Sequence, residues 1–445
     1  MNFLSELHNL DEFDVVIIGA GPTGLITTYE AIRKGLKVLM IDQGEFRNPD
    51  YSAISKHWDQ HGEKRLGGIG GTANAWMGQS LRFSKTFFEH LFANDRSWDF
   101  STYLKYALEV EKVVGVQVSP SNCWSGNRRL QKNIIFTAGI RIQNSFMPIE
   151  QRWSKIFSKT LRSSNLSFFI CHVDSLILAQ DQIGGLRTSK GDFSFSKSNG
   201  IFILSANTIC NSRILEATNA KSNAEVFLNL SASIYDHPFR TKLFFDGCGS
   251  RWLQRNTFTY TLKSLFRTKV KDKFVVELNE NEIGVFELRP EYQLNLIGKI
   301  VNRFSLSIFG YSPFRASKIG IWVQIAQELR QESSPSSTQI SWADQVRFAY
   351  IENSAREFMK SNGYVELKTE PDEVEFSQAF HPSGSIKAGF DFEKYSFAPD
   401  GKSLVFKNLL LTGGAIIENG SWFNPTLPIM TIALKAAREI IKSKD

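Results

Sequence analysis

The sequence predicts an α/β fold in which a parallel sheet flanked by helices is joined to a second unit built on an antiparallel sheet. Three observations point to this class. Asp14–Asp42 alternates short apolar runs with one helical pattern. From Thr241 to Gln378, β-like runs alternate with a long helical stretch, Trp342–Ser361. Near the C-terminus, the apolar run Leu409–Gly414 precedes a closing helical pattern, Leu427–Ile440.

The first of these stretches is predicted to form a βαβ unit. Val15–Ile18 is an apolar run with the length of a buried strand. A helical pattern follows at Leu25–Arg33, and Lys37–Ile41 is a second apolar run that ends on Asp42. A unit of about 30 residues with glycines at its first turn is typical of Rossmann-type dinucleotide binding.

The turn between the first strand and the helix reads G-A-G-P-T-G. Gly19 allows the tight turn, Gly21 lets a pyrophosphate approach the backbone, and Gly24 lets the helix pack closely on the strand. The N-terminus of the helix that follows offers free N–H groups and the positive end of the helix dipole to the phosphates, and Pro22 and Thr23 of this turn are expected to contact the cofactor. The alternative is an ordinary tight turn in an α/β protein.

Asp42 ends the second strand, where its carboxylate can accept hydrogen bonds from both ribose hydroxyls. An acid at this position disfavours a 2′-phosphate, so FAD or NAD fits better than NADP.

Composition limits the class of protein. The chain has 445 residues, 42% of them hydrophobic, with a mean hydropathy of −0.20. No apolar run approaches the ~18 residues of a spanning helix, and the N-terminus lacks the basic start of a secretory signal. We therefore expect a cytoplasmic protein. Its four cysteines form no CxxC pair, so neither a metal site nor a disulfide framework is predicted. The net charge of +7 is spread too thinly for nucleic-acid binding.

A second glycine-rich stretch, Arg65–Phe83, reads RLGGIGGTANAWMGQSLRF. Two Gly-Gly pairs followed by small residues, Trp76 and Gly78 indicate backbone pressed against a large flat group. A flexible surface loop is the alternative. It fits poorly with Trp76, Met77 and Leu81, because solvated loops seldom carry such residues.

The middle of the chain is predicted to return to the parallel sheet. Leu166–Val173 and Ser175–Ala179 are predicted strands around His172. Gly200–Ala206 is a short buried strand, and a helix follows at Asn207–Ala217. Trp153–Leu161 is predicted as one helix and Tyr235–Pro238 as a turn.

Asn295–Phe314 is rich in Phe, Ile and Leu with Lys299 and Arg303 between them. This pattern suits an amphipathic helix on a membrane surface. A core helix of the second unit, or a lid over the active site, is the favoured interpretation.

Taken together, the motifs resemble those of the glucose–methanol–choline (GMC) family of FAD-dependent oxidoreductases, and they occur in the family's order. The resembling segments are GAGPTG with Asp42, GGTANAWMG (Gly70–Gly78), SANTICNSRIL (Ser205–Leu215), DHP (Asp236–Pro238), HPSGS (His381–Ser385) and Asn424-Pro425 before a helix. There are departures: Asn207 stands where the family has glycine, Ser212 where it has proline, and the M-G that usually follows the histidine motif is replaced by Lys387-Ala388-Gly389.

The resemblance implies a two-domain flavoprotein with FAD held without a covalent bond, since Ala75 precedes Trp76 where some members have a linking histidine. It implies that residues 1–90, 165–240 and 400–445 form the FAD domain, and 91–164 and 241–399 the substrate domain. It also implies that His381 is the catalytic base and that Asn424 orients the substrate oxygen. Besides the first turn and Asp42, the expected FAD contacts are Gly70, Gly71, Thr72, Asn74, Trp76, Val173, Ala206, Arg213, Gly414, Pro425 and Thr426. His172 is expected in a strand position near the adenine, where Val173 offers backbone contacts.

The expected reaction is oxidation of an alcohol, most simply a sugar or polyol hydroxyl, with the electron acceptor left open. One alternative is a long-chain or terpenoid alcohol taken up at a membrane, which the 36 phenylalanines favour. A second is a flavin-binding redox subunit without turnover. An NAD-dependent dehydrogenase would explain the first 42 residues but not the glycine loop or His381 and Asn424.

Overall fold

A computed structural model describes residues 2–44, 67–75, 79–80, 82–83, 85–93, 98–115, 128–131, 134–141, 149–195, 200–223, 225–230, 234–236, 239–246, 271–278, 281–291, 295, 297–298, 300–301, 318–325, 327–329, 342–367, 383–417 and 425–442. Its strands are β1 (Asn2–Leu4), β2 (Val15–Ile18), β3 (Val38–Asp42), β4 (Gln79–Ser80), β5 (Arg128–Gln131), β6 (Ile134–Arg141), β7 (Leu166–Ile170), β8 (Val173–Ala179), β9 (Gln182–Thr188), β10 (Gly191–Ser194), β11 (Ile201–Leu204), β12 (Ile234–Asp236), β13 (Phe239–Asp246), β14 (Lys271–Leu278), β15 (Asn281–Glu291), β16 (Lys318–Gln324), β17 (Gln327–Leu329) and β18 (Leu409–Leu411). The α-helices are α1 (Pro22–Arg33), α2 (Lys85–Leu91), α3 (Phe100–Val114), α4 (Ile149–Ile156), α5 (Ser158–Leu161), α6 (Thr208–Ser222), α7 (Trp342–Ser361) and α8 (Thr426–Lys442).

A parallel sheet carries the N-terminal unit. Its strand order is β1-β7-β3-β2-β11-β18, and every neighbouring pair is parallel. The predicted βαβ unit is confirmed as β2-α1-β3. The helix begins at Pro22, three residues earlier than predicted, because proline suits the first helical position.

Side chains of the parallel strands alternate between two hydrophobic clusters. Val15 and Ile17 of β2 face a cluster that includes residues of α1, α3 and α8. Val16 and Ile18 face a second cluster with the antiparallel strands β8–β10 and α6. The strands β2, β3, β11 and β18 are therefore buried on both faces, which explains why they are almost entirely apolar in the sequence.

A buried ionic network joins the three helices on the first face. Arg438 of α8 donates to the carboxylate of Glu30 in α1 at 2.9 and 3.0 Å and to Glu109 of α3 at 2.6 and 3.0 Å. Burial raises the pKa of the Glu30 carboxyl, but hydrogen bonds from Arg438 and Arg33 outweigh burial and leave that pKa below its usual value. These ion pairs hold α1, which begins at the glycine turn, together with α3 and α8.

The second sheet is antiparallel. Its order is β13-β16-β15-β14-β6-β4, and β5 also pairs with β6. The helix α7, predicted with the same bounds, packs Phe348, Ile351 and Phe358 against residues of β13, β15 and β16. This arrangement accounts for the alternation of β-like runs and one long helix in the sequence. Within the described parts of the chain, no helix has the length and apolar character needed to cross a membrane.

Three local predictions differ from the structure. The single helix predicted at Trp153–Leu161 is divided at Phe157 (φ −96°, ψ 21°), whose buried ring stacks on Trp153. The strand predicted at Leu166–Val173 ends at Ile170: Cys171 N–H makes the last hydrogen bond to the neighbouring strand, at the Asp42 carbonyl, and Val173 already belongs to β8. Tyr235 and Asp236, predicted as part of a turn, lie in β12, which pairs with β17.

The predicted domain limits do not coincide with sheet membership everywhere. β4 lies within residues 1–90 but pairs with β6 of the antiparallel sheet. α3 lies within residues 91–164 but packs Val110 and Val114 in the cluster with α1 and α8. The limits of the two units stay a prediction.

Candidate cofactor and active site

The carboxyl ends of β2, β3, β11 and β18 form one edge of the parallel sheet. The chain leaves β2 toward β3 on one side, while β11 lies on the other side of β2. The strand order therefore reverses between β2 and β11, at the kind of switch point where open α/β sheets bind ligands.

The glycine turn lies at this switch point. Gly19 has φ +104°, and a Cβ there would overlap the Ser205 carbonyl group at the end of β11. A Cβ at Gly24 would overlap the carbonyl oxygen of Gly19, so glycine is needed for α1 to lie so close to β2. A Cβ at Gly21 would meet nothing within 4 Å, so the turn is open on that side.

The N-terminus of α1 faces this open side. Gly21 is its N-cap without a side-chain hydrogen bond, and Pro22 follows. Thr23 Oγ1 lies 2.6 Å from Ser205 Oγ, which ties the first helical turn to β11. An open backbone turn before an uncapped helix N-terminus fits a pyrophosphate.

Asp42 is more firmly held than the sequence indicated. Its carboxylate accepts hydrogen bonds from the N–H groups of Ala20 (2.8 Å), Gly44 (2.8 Å) and Gly68 (2.7 Å). A carboxylate has about four acceptor sites, so acceptor capacity remains for a ribose hydroxyl. These bonds also bring the second glycine-rich stretch to the end of β3.

The second glycine-rich stretch runs along the first. Gly70 N–H donates to the Ala20 carbonyl at 2.8 Å, and a 3₁₀ turn follows at Gly71–Ala75, which includes Thr72. Asn74 is fully buried, and its Nδ2 donates to the Ile69 carbonyl at 2.8 Å. In the described structure its Oδ1 has no hydrogen-bond partner. Trp76 lies outside the described residues.

Val173 opens β8 beside Asp42. It is buried, two residues after Cys171, whose N–H donates to the Asp42 carbonyl. His172 is exposed, and its Nδ1 lies 2.8 Å from Gln43 Oε1. Contact of Val173 and His172 with an adenine stays a prediction.

Ala206 follows β11, and its N–H already has a hydrogen-bond partner within the protein. It donates to Asn211 Oδ1 at 2.9 Å, so Ala206 can contact a cofactor only through other atoms. Arg213, also predicted to contact the cofactor, has an exposed side chain on α6. Sequence reasoning did not select Asn211, whose signal was an amide on the first turn of a helix that follows a buried strand.

Asn207 explains one departure from the GMC pattern. It adopts φ 71° and ψ 173°, a conformation that favours glycine, while its Oδ1 accepts from the N–H groups of Ile209 and Cys210, both at 3.0 Å. Asparagine thus adopts this backbone conformation at a higher energetic cost than glycine, but its side chain caps the N-terminus of α6.

We expect Asn207→Gly to change the free energy of unfolding by only a few tenths of a kcal/mol, because the lost cap is offset by relief of strain. Asn207→Ala should cost about 1–2 kcal/mol, since it loses the cap and keeps the unfavourable φ. Urea denaturation of both variants checks this. A glycine variant less stable than the alanine variant would contradict it.

The described part of the HPSGS segment, Ser383–Ser385, is hydrogen-bonded at the same edge of the sheet. Gly384 N–H donates to the Gly414 carbonyl at 2.9 Å, and Ile386 N–H donates to the Ala415 carbonyl at 2.9 Å. Ser385 Oγ donates to the Thr208 carbonyl at the start of α6 at 2.7 Å. The described part of this segment is therefore joined to the loops after β11 and β18.

His381 and Asn424, the predicted catalytic residues, lie outside the described residues. Pro425 and Thr426 follow Asn424 directly. Thr426 is buried at the start of α8, and the Pro425 carbonyl accepts from Ile429 N–H at 2.9 Å. Among the residues with described side chains, no group of three or more His, Cys, Asp or Glu could hold a metal ion.

Comparisons with known proteins agree with this site. A family model for an FAD binding domain matches residues 14–55, which contain the βαβ unit. No curated protein sequence matches the chain.

Several solved structures share the fold. Pyridoxine 4-oxidase from Mesorbium loti has a TM-score of 0.65 at 13% identity, with 96% of this chain and 99% of that chain covered. A formate oxidase has a TM-score of 0.62 at 13% identity, with 98% and 99% covered. A variant formate oxidase of Aspergillus oryzae RIB40 has a TM-score of 0.58 at 13% identity and the same coverage.

The residues present fit the dinucleotide. An open glycine turn, an uncapped helix N-terminus and a fixed carboxylate lie together at the switch point, where the FAD-binding model matches. The cofactor of this chain is FAD. Because FAD carries electrons and hydride, the chain is a flavoprotein of the oxidoreductase class.

Proposed function

We propose that this chain is a GMC-type oxidoreductase that oxidises an alcohol, in the first place a sugar or polyol CH–OH group, to a carbonyl. The order of its motifs along the chain supports this. The similar structures are named as oxidases of pyridoxine and of formate, which favours a small polar substrate.

One observation carries the proposal. The hydrogen bond from Gly384 to Gly414 joins the HPSGS segment to the loop after β18, at the edge that carries the FAD-binding turn. Gly384 therefore lies at the cofactor edge, and His381 precedes it by three residues in the sequence. A structural turn far from the cofactor would not support a catalytic role for His381.

The roles follow from the chemistry of alcohol oxidation, which removes a hydroxyl proton and a carbon-bound hydride. Bound FAD supplies the hydride acceptor. We assign the hydroxyl proton to His381, because imidazole has an ordinary pKa of ~6.5 and accepts protons near neutral pH. We assign to Asn424 a hydrogen bond that orients the substrate oxygen as negative charge develops. Ala75 offers no covalent link, so FAD would be held by hydrogen bonds and packing.

A second candidate substrate is a long-chain alcohol taken from a membrane surface. Ile297, Ile300 and Val301 are 72%, 61% and 44% exposed, at the spacing of one helical face. The rest of the segment 295–314, apart from Asn295 and Gly298, lies outside the described residues. Peripheral membrane contact there is compatible with the same flavin chemistry.

An anaerobic visible spectrum of the purified holoprotein tests the function. We expect the flavin absorbance to bleach when sugars or polyols are added, and readmitted air then distinguishes oxygen from a quinone or protein acceptor. Bleaching only by long-chain alcohols, with flotation on lipid vesicles, would favour the second candidate. A flavin that no alcohol reduces would contradict alcohol oxidation and favour a redox subunit without turnover.

A further inference from the structure

Asn211 is a fully buried amide on the first turn of α6, and both of its polar atoms bond backbone groups of two different loops. Its Oδ1 accepts from Ala206 N–H at 2.9 Å, just after β11. Its Nδ2 donates to the Thr412 carbonyl at 3.0 Å, just after β18. These partners lie five and 201 residues away in sequence, so the contact is made only by the folded sheet.

The two loops that Asn211 joins both border the FAD edge. Ser205, before Ala206, pairs its hydroxyl with Thr23 at the start of α1. Gly413, after Thr412, approaches the same residue, because a Cβ at Gly413 would lie 3.8 Å from Thr23 Oγ1. The separation of these loops therefore sets the space in front of the nucleotide turn.

Two further hydrogen bonds connect the ends of β11 and β18. Thr412 donates to the Leu204 carbonyl through both its N–H (2.8 Å) and its Oγ1 (3.1 Å). These bonds hold the strand ends together, and Asn211 reaches past them, from the Thr412 carbonyl to Ala206. Its carbonyl and amide directions are fixed, because one partner is a donor and the other is an acceptor.

We infer that Asn211 is a positioning residue of the FAD site, which holds the loops after β11 and β18 at the separation that the bound cofactor requires. The inference rests on FAD binding and not on the identity of the substrate. Asn211 needs no contact with FAD for this role. Without its amide, Ala206 N–H and the Thr412 carbonyl lose buried partners, and the loops would separate to recover hydrogen bonds elsewhere.

Asn219 offers a matched control on the same helix. Its Nδ2 donates to the Phe227 carbonyl at 2.8 Å, and its Oδ1 accepts from the N–H groups of Val226 (3.1 Å) and Phe227 (2.9 Å). It makes the same kind of backbone bridge as Asn211, but to the segment after the C-terminal end of α6. Loss of either bridge should destabilise the fold, more at the fully buried Asn211 than at the half-buried Asn219, whereas loop positioning at the FAD edge should make only the Asn211 variant bind FAD more weakly.

The experiment compares Asn211→Asp with Asn219→Asp, each of which replaces an amide donor with a carboxylate oxygen facing a carbonyl. Apoprotein is titrated with FAD by calorimetry, and apoprotein melting is followed by circular dichroism. We expect Asn211→Asp to raise the Kd for FAD about tenfold or more. Asn219→Asp should leave the Kd within about twofold of the parent value, even where it lowers the melting temperature of the apoprotein.

The inference would be overturned if Asn211→Asp bound FAD as tightly as the parent, or if both variants weakened FAD binding equally. If an aspartate variant fails to fold, Asn211→Ala and Asn219→Ala are compared by the same criteria. A visible spectrum of the bound flavin that changes only in the Asn211 variants would support positioning. Because no substrate is used, failure here leaves the proposed alcohol oxidation untouched.

Discussion

Replacing His381 by alanine should slow anaerobic reduction of the bound flavin by about 10²–10⁴-fold, the usual contribution of a general base. FAD should stay bound, because the turn at Gly19–Gly24 and Asp42 are unchanged. The measurement is stopped-flow bleaching of the holoprotein over a range of alcohol concentrations. A fall in the limiting rate at saturating substrate would separate lost proton transfer from lost substrate binding.

His8 supplies the control for this result, since its side chain is exposed near the N-terminus. In the His8→Ala variant, the alcohol should reduce the flavin at the same rate as in the parent protein. Equal rates for the His381→Ala variant and the parent would remove His381 from the mechanism, while leaving the cofactor assignment intact.

Breaking the buried ion pair between Arg82 and Glu111 should cause the largest loss of stability. Arg82 Nε and Nη2 each lie 2.6 Å from a Glu111 carboxylate oxygen, and both side chains are almost completely buried. Arg82→Met removes two charge-assisted hydrogen bonds from a carboxylate that water cannot reach. We expect a loss of about 3–5 kcal/mol in the free energy of unfolding, measured by urea denaturation with saturating FAD.

Two comparisons sharpen this prediction. The double variant Arg82→Met/Glu111→Leu should recover most of the loss, because an apolar pair of similar volume carries no buried charge. Lys407 and Asp181 form an exposed pair at 2.8 Å, and Lys407→Met should leave the unfolding midpoint unchanged within error. A loss in Arg82→Met no larger than in Lys407→Met would show that burial of the first pair is unimportant.

The location of the Arg82–Glu111 pair also has a structural consequence. Arg82 and Phe83 are the last two residues of the second glycine-rich stretch, shortly after β4. Phe83 N–H donates to the Tyr103 hydroxyl of α3 at 2.9 Å. Two successive residues thus attach this segment to α3. The same helix is joined through Glu109 to Arg438 of α8.

Local patterns predicted much of the fold correctly. Val15–Ile18 and Trp342–Ser361 were predicted with the bounds that the structure has, because an unbroken apolar run and a long helical period are properties of neighbouring residues. The break at Phe157 and the strand at Tyr235 were missed. The strand at Tyr235 depends on a partner distant in sequence, β17. The ring of Phe157, at the break, packs in a cluster with residues of α1, α3 and α8, which no local pattern specifies.

The features of the site also fall into two groups, those visible in the sequence and those that depend on the folded sheet. The sequence by itself determined the glycine turn, Asp42 and a dinucleotide site suited to FAD or NAD, because a dinucleotide turn is built from consecutive residues whose size and spacing are visible in the chain. The resemblance of the later motifs to the GMC family then indicated FAD. Only the tertiary structure decided that Asp42 accepts from Gly68, and that Asn211 bridges Ala206 and Thr412. Those bonds join strand exits that become neighbours through the order of the sheet, and no local pattern of side chains specifies which distant backbone group will lie within hydrogen-bond reach.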